Sequence, residues 1–291
     1  MADQNPFFSP STLPFGLPPF AEIRNEHFRP AFIEGMAEQL REVQNITRRR
    51  DMPSFQNLID LEKSGQLLTR VAEVFFNKSS ADSDDFTNEL EEEIAPLLAA
   101  HADAIRLGPQ LYWRIKTLHD QLDDLGLDDE SAYLVERYYV EFTQAGAALS
   151  DDDKQKLREF NQQLSTLTTR FEKNLLADTN DLAVVIDDVA DLDGLGAGEV
   201  SAAAEAAKDR GLDGTYLVTL VLPTGHPYLD SLRDAGMRER IMAASRARSS
   251  RGNGNDNRQL VLDITRLRAE RARLLGFAWG LQFPVIKKIW T

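Results

Sequence analysis

Apolar residues recur along this chain at spacings of three and four positions, the spacing of one face of an α-helix. The segment SDDDKQKLREFNQQLSTLTTRFEKNLL, residues 150–176, shows it best. Ser150 is placed to cap this helix, and acidic residues fill the first turn, where the helix dipole favours them. The apolar stripe that follows comprises Leu157, Phe160, Leu164, Leu167 and Phe171. Such a chain must bury helical faces against one another.

The same spacing predicts a mainly α fold with one small β element. Further helices are predicted from Asn25 onward and over residues 54–77, 84–106, 109–123, 129–148, 199–210, 227–234, 236–248 and 256–275. The β-branched runs LAVVID (182–187) and TYLVTLVL (215–222) are typical of strands. Their spacing leaves parallel and antiparallel pairing open. The predicted organisation is an extended Pro/Phe-rich arm (1–24), a helical domain (25–180), a strand–helix–strand element followed by helices (181–277), and an apolar tail (278–291).

Composition argues against several classes of function. The chain has 47 acidic and 33 basic residues, a net charge of −14 that disfavours nucleic acid and anionic membranes as partners. It contains no cysteine, which excludes disulfides, thiolate catalysis and Cys-ligated metals. No signal-like segment or apolar run long enough to span a bilayer is evident. We therefore expect a cytoplasmic protein without nucleic-acid or membrane partners.

The chain has four histidines that are candidates for a metal ligand or a base. They are His27, His101, His119 and His226, and none is part of H-E-x-x-H. That motif places two imidazoles on one helical face to bind zinc, with the Glu as general base. Each histidine is therefore interpreted as a lone surface or half-buried side chain, and no catalytic or metal-binding residue is predicted.

Glycine-rich and acidic stretches offer no better site. In DLDGLGAGEV, Glu199 stands where a dinucleotide-binding loop needs its third Gly or Ala. As a calcium loop, the same stretch has Leu195 and Ala202 at ligand positions. A connecting turn is the preferred interpretation. The acidic clusters at 82–85, 91–93 and 151–153 are interpreted as solvated faces and helix starts.

The run SRARSSRGNGNDNR (245–258) is the most informative local segment. Arginines cluster around a flexible loop that opens a helix, so guanidinium groups and backbone donors could converge on a carboxylate or phosphate. The alternative is a capped helix–helix connection whose arginines pair with the chain's own acids. The candidate contacts for a peptide carboxylate are Arg246, Arg248, Arg251 and Arg258.

Two long segments resemble the peptidyl-dipeptidase branch of the thimet oligopeptidase family of zinc metallopeptidases. They are NPFFSPSTLPFGLPPFAEIRNEHFRPAFIEGMAEQ, near the N-terminus, and YLVTLVLPTGHPYLDSLRDAGMRERIMAASRARSSRGNGNDNRQLVLDITRLRAERARLLGF, which ends at Phe277. The strongest local matches are SRG (250–252), DNR (256–258) and LRAERARLLGF (267–277). The resemblance covers residues 5–277.

The resemblance implies the multi-helix N-terminal part of a neurolysin-like fold. This part forms a channel wall, and the channel admits only short peptides. Family members hydrolyse oligopeptides, and this branch releases C-terminal dipeptides with zinc held by H-E-x-x-H and a later glutamate. Those residues lie C-terminal to the matched region, so none is carried over to this chain. No cofactor is expected in this chain, whereas zinc is the cofactor expected in the complete family enzyme.

Three interpretations remain open. The chain is the N-terminal portion of a zinc peptidyl-dipeptidase, inactive by itself and completed by a separate catalytic portion. Alternatively, it is a stand-alone peptide-binding or interaction module derived from that family, or an enzyme with an unrelated site.

Residues 278–291, AWGLQFPVIKKIWT, contain no acid and depart from the family resemblance. Short peptides are the expected ligands, and self-association through exposed apolar surface is the expected consequence of a missing half.

Overall fold

A computed structural model describes residues 5–221 and 224–277, so the predicted tail at 278–291 lies outside the described residues. The fold is mainly α, as predicted, with one small sheet. No helix in the described part of the chain has the length and apolar character needed to cross a bilayer. The elements are α1 (Asn25–Thr47), α2 (Gln56–Glu62), α3 (Gln66–Ala81), α4 (Asp85–Arg106), α5 (Pro109–Asp120), α6 (Asp129–Ala145), α7 (Asp151–Asp181), β1 (Val184–Ile186), α8 (Ala197–Lys208), β2 (Tyr216–Val218), α9 (Gly225–Ser231), α10 (Ala235–Ala247) and α11 (Arg258–Leu274).

The single helix predicted over 54–77 is wrong, because the structure divides this region into α2 and α3. Gly65 separates the two helices with a φ of 75°, a left-handed conformation that favours glycine. Its N–H donates to Oε2 of Glu42 at 2.7 Å. A Cβ at this position would lie 2.4 Å from the Gln39 side chain. The break therefore depends on α1, which local periodicity does not reveal.

The two predicted strands form an antiparallel pair, which settles the orientation that the sequence left open. Val184 pairs with Val218 and Ile186 with Tyr216. Both strands are shorter than predicted, at three residues each. Helix α8 lies between them in sequence and packs against β2.

The described chain divides into two compact units. Of the described residues, the first unit contains 5–169 together with 265–277, and the second unit is Arg170–Ile264. These boundaries fall inside α7 and α11, so they differ from the borders of the predicted segments.

Phenylalanine rings form the centre of one core of the first unit. The ring of Phe75 on α3 lies 5.4 Å from that of Phe28 and 5.3 Å from that of Phe32, both on α1. These contacts are edge-on, an arrangement that aromatic pairs prefer. Gly35 lets α1 approach α3 closely, because a Cβ there would lie 2.9 Å from the Leu68 backbone.

The predicted N-terminal arm contains short 3-10 turns at Pro6–Phe8 and Pro14–Gly16. Its Phe7 ring is buried in the phenylalanine core, 5.4 Å from Phe28. Phe15, by contrast, is fully exposed. Only part of the arm's aromatic surface is therefore covered by the described chain.

The second unit has its own core around the two-stranded sheet. The buried residues include Val184, Ile186, Leu192, Ala203, Val218, Leu220, Tyr228, Leu232, Met237 and Ile241. Gly194, in the glycine-rich stretch before α8, has a φ of 105° and packs against Ser231, whose carbonyl oxygen would lie 2.1 Å from an added Cβ. Oε2 of Glu199 accepts the Gly196 N–H at 2.7 Å and closes the start of α8. The stretch is a connecting turn.

Candidate functional site

Three of the four histidines make contacts within the first unit. Nδ1 of His27 accepts the Arg24 N–H at 3.0 Å and thereby closes the first turn of α1. Nε2 of His101 lies 2.6 Å from Oε1 of Gln39, and burial lowers the pKa of this imidazole. The ring of His119 stacks on Tyr139 at 3.8 Å. His226 differs because it lines a groove in the second unit.

The described residues do not form a zinc site. The sequence lacks H-E-x-x-H, and within residues 5–221 and 224–277 no group of three or more His, Asp or Glu side chains is arranged to hold a metal. A catalytic zinc needs three protein ligands and an open position for water. We therefore assign no zinc-dependent step to residues of this chain.

The acidic clusters at 82–85 and 151–153 lie at helix starts, as interpreted from the sequence, whereas the cluster at 91–93 lies within α4. Oδ1 of Asp84 accepts the Thr87 N–H at 2.8 Å and caps α4. The hydrogen bond from Lys78 to Oδ2, at 2.9 Å, is the main cause that lowers the pKa of Asp84 to about 2. At the start of α7, Oγ of Ser150 accepts the Asp153 N–H at 3.2 Å. The predicted Ser150 cap is confirmed.

Among the four candidate arginines, Arg251 holds carboxylates of the chain itself. Its guanidinium donates to Asp178, with Nε at 3.1 Å from Oδ1, and to Asp181. Asp178 is fully buried and also accepts the Ser249 N–H at 2.5 Å and the Asn253 amide at 3.0 Å. Donation by Arg251 is the main cause that lowers the pKa of Asp178 against the opposing effect of burial. We call this set of contacts the Asp178 clamp.

Arg258 is paired in a similar way. Its Nε lies 3.0 Å from Oδ1 of Asp256 and its Nη2 lies 2.6 Å from Oδ2. Oδ2 of Asp256 also accepts the Gly252 N–H at 2.7 Å. These bonds, with Arg258 first, hold the pKa of Asp256 well below its usual range. The pairing with internal acids that the sequence left open is therefore present for Arg251 and Arg258.

The remaining two candidates, Arg246 and Arg248, lie at the end of α10. Arg246 is exposed. Arg248 is half-buried and folds back on the helix, with Nε donating to the Ser245 carbonyl at 2.9 Å and Nη2 donating to Ser245 Oγ at 3.3 Å. Its Nη1 approaches the Leu220 carbonyl at 3.4 Å. The structure thus places the four arginines in different environments and does not bring them together on one point.

Arg248 and His226 line the same groove. It has a volume of about 580 Å³ and lies wholly within the second unit. Nε2 of His226 lies 3.3 Å from Ser245 Oγ, the hydroxyl that also receives Arg248. The lining residues are Glu172, Leu175, Leu176, Thr179, Leu220, Val221, His226 and Arg248. Sequence reasoning missed His226 as a neighbour of Arg248, because no short motif joins two residues on different helices.

Comparison with known proteins gives a consistent set of relatives. No protein-family model matches the chain. The chain is similar to dipeptidyl carboxypeptidase of Escherichia coli (strain K12), with 40% identity over 99% of this chain and 43% of that protein. It is also similar to oligopeptidase A of the same organism, with 27% identity over 92% of this chain and 40% of that protein. A probable cytosolic oligopeptidase A of Arabidopsis thaliana shares 28% identity over 90% and 38%, respectively.

These similarities confirm the resemblance that the two long segments predicted. The chain spans about two fifths of the length of the curated relatives it matches.

Proposed function

We propose that this chain forms a substrate-restricting wall of a zinc-dependent peptidyl-dipeptidase that acts on short peptides. The premise is that the chain belongs to the family of dipeptidyl carboxypeptidase and oligopeptidase A. The observation that carries the proposal is the 40% identity to a dipeptidyl carboxypeptidase over 99% of the chain. A cytoplasmic location, suggested by the absence of cysteine, is part of the same proposal.

The proposed role is non-catalytic. Peptide hydrolysis by a zinc peptidase needs a polarised water and a general base, supplied by the metal and by the Glu of H-E-x-x-H. The 291 residues lack that motif, so the chemistry would come from a separate catalytic portion. The contribution of this chain would be shape and contacts along the path of the peptide.

A chimera with the E. coli relative tests the proposal. The chain replaces the portion of E. coli dipeptidyl carboxypeptidase that it matches, and the chimera, the chain alone and the E. coli protein are incubated with an N-acetylated Gly-Gly-Leu-Leu peptide. We expect the chimera to release Leu-Leu, to lose activity with a chelator and to regain it with zinc. The chain alone should release nothing. Cleavage by the chain alone, or a folded but inactive chimera, contradicts the proposal.

A second candidate function is a stand-alone peptide-binding module. The groove that contains Arg248 and His226 favours it, because an apolar lining with a few polar groups is typical of ligand sites. Binding of a short peptide by the chain, together with a folded but inactive chimera, supports this alternative.

Self-association is part of the proposal as well. Phe15, Leu17 and Phe20 of the N-terminal arm expose more than half of their surface, and exposed apolar groups favour association. We expect the isolated chain to form concentration-dependent oligomers in light scattering, and a monomer at all concentrations would argue against this part.

A further inference from the structure

We infer that the groove of the second unit binds the C-terminal residue of a peptide, with an apolar side chain on its leucine and valine lining and the α-carboxylate on Arg248 and His226. The choice of a peptide as ligand rests on the proposed function. The geometry of the groove is independent of it, because every lining residue belongs to the second unit.

Arg248 is a cation without a carboxylate partner among the described residues. Its contacts in the described structure are the carbonyls of Ser245 and Leu220 and the hydroxyl of Ser245, and no ion pair with a described acid is present. A guanidinium has five N–H donors in a planar fork that matches a carboxylate. These contacts leave part of the fork available, in contrast to Arg251 and Arg258, which already hold acids.

The backbone next to Arg248 is fixed by the Asp178 clamp. The N–H of Ser249, the following residue, donates to Asp178 at 2.5 Å. Arg251 and Asn253 donate to the same buried carboxylate. Because these contacts hold the segment after α10, the backbone that carries the Arg248 side chain is held in place. Such pre-organisation lowers the entropy cost of binding a ligand.

His226 supplies a second polar group on the same side of the groove. A guanidinium can only donate, so Ser245 Oγ accepts from Arg248, and its own proton is available to Nε2 of His226. Nδ1 of His226 has no hydrogen-bond partner among the described contacts and is free to donate to a ligand. Ser245 is buried, and its hydroxyl contacts both Arg248 and His226.

The rest of the lining fits an apolar side chain. The apolar residues are Leu175, Leu176, Leu220 and Val221. Leu176 is 38% exposed and Val221 is 44% exposed, so a ligand would remove apolar surface from water. Glu172 lines the same groove, is exposed and has an interaction of its own. Its charge should disfavour a peptide with an acidic C-terminal side chain.

The test compares N-acetyl-Leu-Leu with its C-terminal amide. The two probes differ only in the negative charge, and binding to the full 291-residue chain is followed by NMR with ¹⁵N labelling, including arginine Nε signals. We expect the acid to bind roughly tenfold more tightly than the amide, since a charge-assisted contact to Arg248 is lost with the amide. The shifts should include the Arg248 Nε signal and the backbone of His226.

Three variants locate the carboxylate contact. Arg248→Gln should bind the acid and the amide equally. Arg246→Gln is the matched control, because Arg246 is exposed and does not line the groove, and it should keep the roughly tenfold preference. Arg248→Lys keeps the charge without the fork and should retain part of the preference. It serves as the second variant if Arg248→Gln does not fold.

Three results overturn the inference: equal binding of acid and amide by the unchanged chain, no binding of the acid, or an equal loss in both glutamine variants. The chimera assay separates this inference from the proposed function. If the chimera is inactive but the isolated chain still prefers the acid, the proposed function fails and the inference about the groove holds. If the chimera is active but the isolated chain shows no preference for the acid, only the inference about the groove fails.

Discussion

The first unit centres one of its cores on phenylalanine rings, whereas the second unit organises its arginine-rich loop around a buried carboxylate. Phe28, Phe32 and Phe75 pack edge-on with no polar group to satisfy. Asp178 is equally buried, but it holds three loop residues by charge and hydrogen bonds. Ring packing depends on shape and volume, whereas the clamp depends on ionisation. The two regions should therefore respond differently to substitution and to pH.

Removing the central ring of the first unit should have the largest effect. Phe75→Ala deletes a fully buried ring that contacts Phe28 and Phe32, and should lower the free energy of unfolding by about 3–5 kcal/mol. Phe20→Ala is the control, since Phe20 is exposed, and it should change stability by less than about 0.5 kcal/mol. Urea denaturation followed by circular dichroism measures both. Equal effects would mean that the rings do not form the core as described.

Removing the buried charge of the second unit should have the next largest effect. Asp178→Asn leaves the Ser249 N–H and the Arg251 guanidinium without a buried anionic acceptor, and should cost about 2–3 kcal/mol. Asp181→Asn removes the exposed partner of the same arginine and should cost less than about 1 kcal/mol. Amide hydrogen exchange at residues 249–257 should accelerate only in the first variant. Acceleration in both, or in neither, contradicts the assignment of Asp178 as the anchor.

Two helical glycines test how closely the helices pack in the two units. Gly35→Ala should destabilise the first unit by about 1–3 kcal/mol, because the added Cβ meets the Leu68 backbone at 2.9 Å. Gly198 on α8 has no atom within 4 Å of an added Cβ. Gly198→Ala should therefore stabilise the second unit by about 0.5–1 kcal/mol through helix propensity. Thermal unfolding would show opposite shifts of Tm, and shifts in the same direction would refute the close approach of α1 and α3.

The smallest expected effect is a pH dependence of opposite sign in the two units. The pKa of Asp178 is lowered from 3.8, so its stabilisation is present above that value and is lost as the pH falls through the lowered pKa. The pKa of Asp103, in the first unit, is raised, mainly by burial, against the hydrogen bond from Asn161 and the charges of nearby arginines. Its favourable contribution is present below 3.8 and is lost as the pH rises through the raised pKa.

Paired variants measure this difference. The stability lost in Asp178→Asn should shrink between pH 7 and pH 3, whereas Asp103→Asn should be more stable than the unchanged chain at pH 7 and lose that advantage at pH 3. Urea denaturation at both pH values gives the two differences. The same sign of pH dependence in both variants would contradict the contrast between the units.

Much of the secondary structure was predictable because its signals are local. The stripe from Leu157 to Phe171 and the cap at Ser150 predicted α7, and the structure confirms both. The two strands were predicted from their β-branched composition, but not their antiparallel register. The family resemblance was also available from the sequence, since it depends on the order of residues over two long segments.

The environments of the candidate arginines could not be predicted in the same way. Arg246, Arg248, Arg251 and Arg258 are equivalent as a charge pattern, yet Arg251 reaches an aspartate 73 positions away and Arg248 faces a groove beside His226. The break at Gly65 likewise depends on Gln39 and Glu42 in another helix.

Most of the helices and the presence of two strands follow from the sequence, because hydrogen-bond capping and apolar periodicity act between residues a few positions apart. The family resemblance follows from the order of residues over two long segments. Which arginine is neutralised and which remains available to a ligand is visible only in the folded chain. That choice depends on distances between elements far apart in the chain, and the Coulomb energy of a charge depends on those distances and on burial.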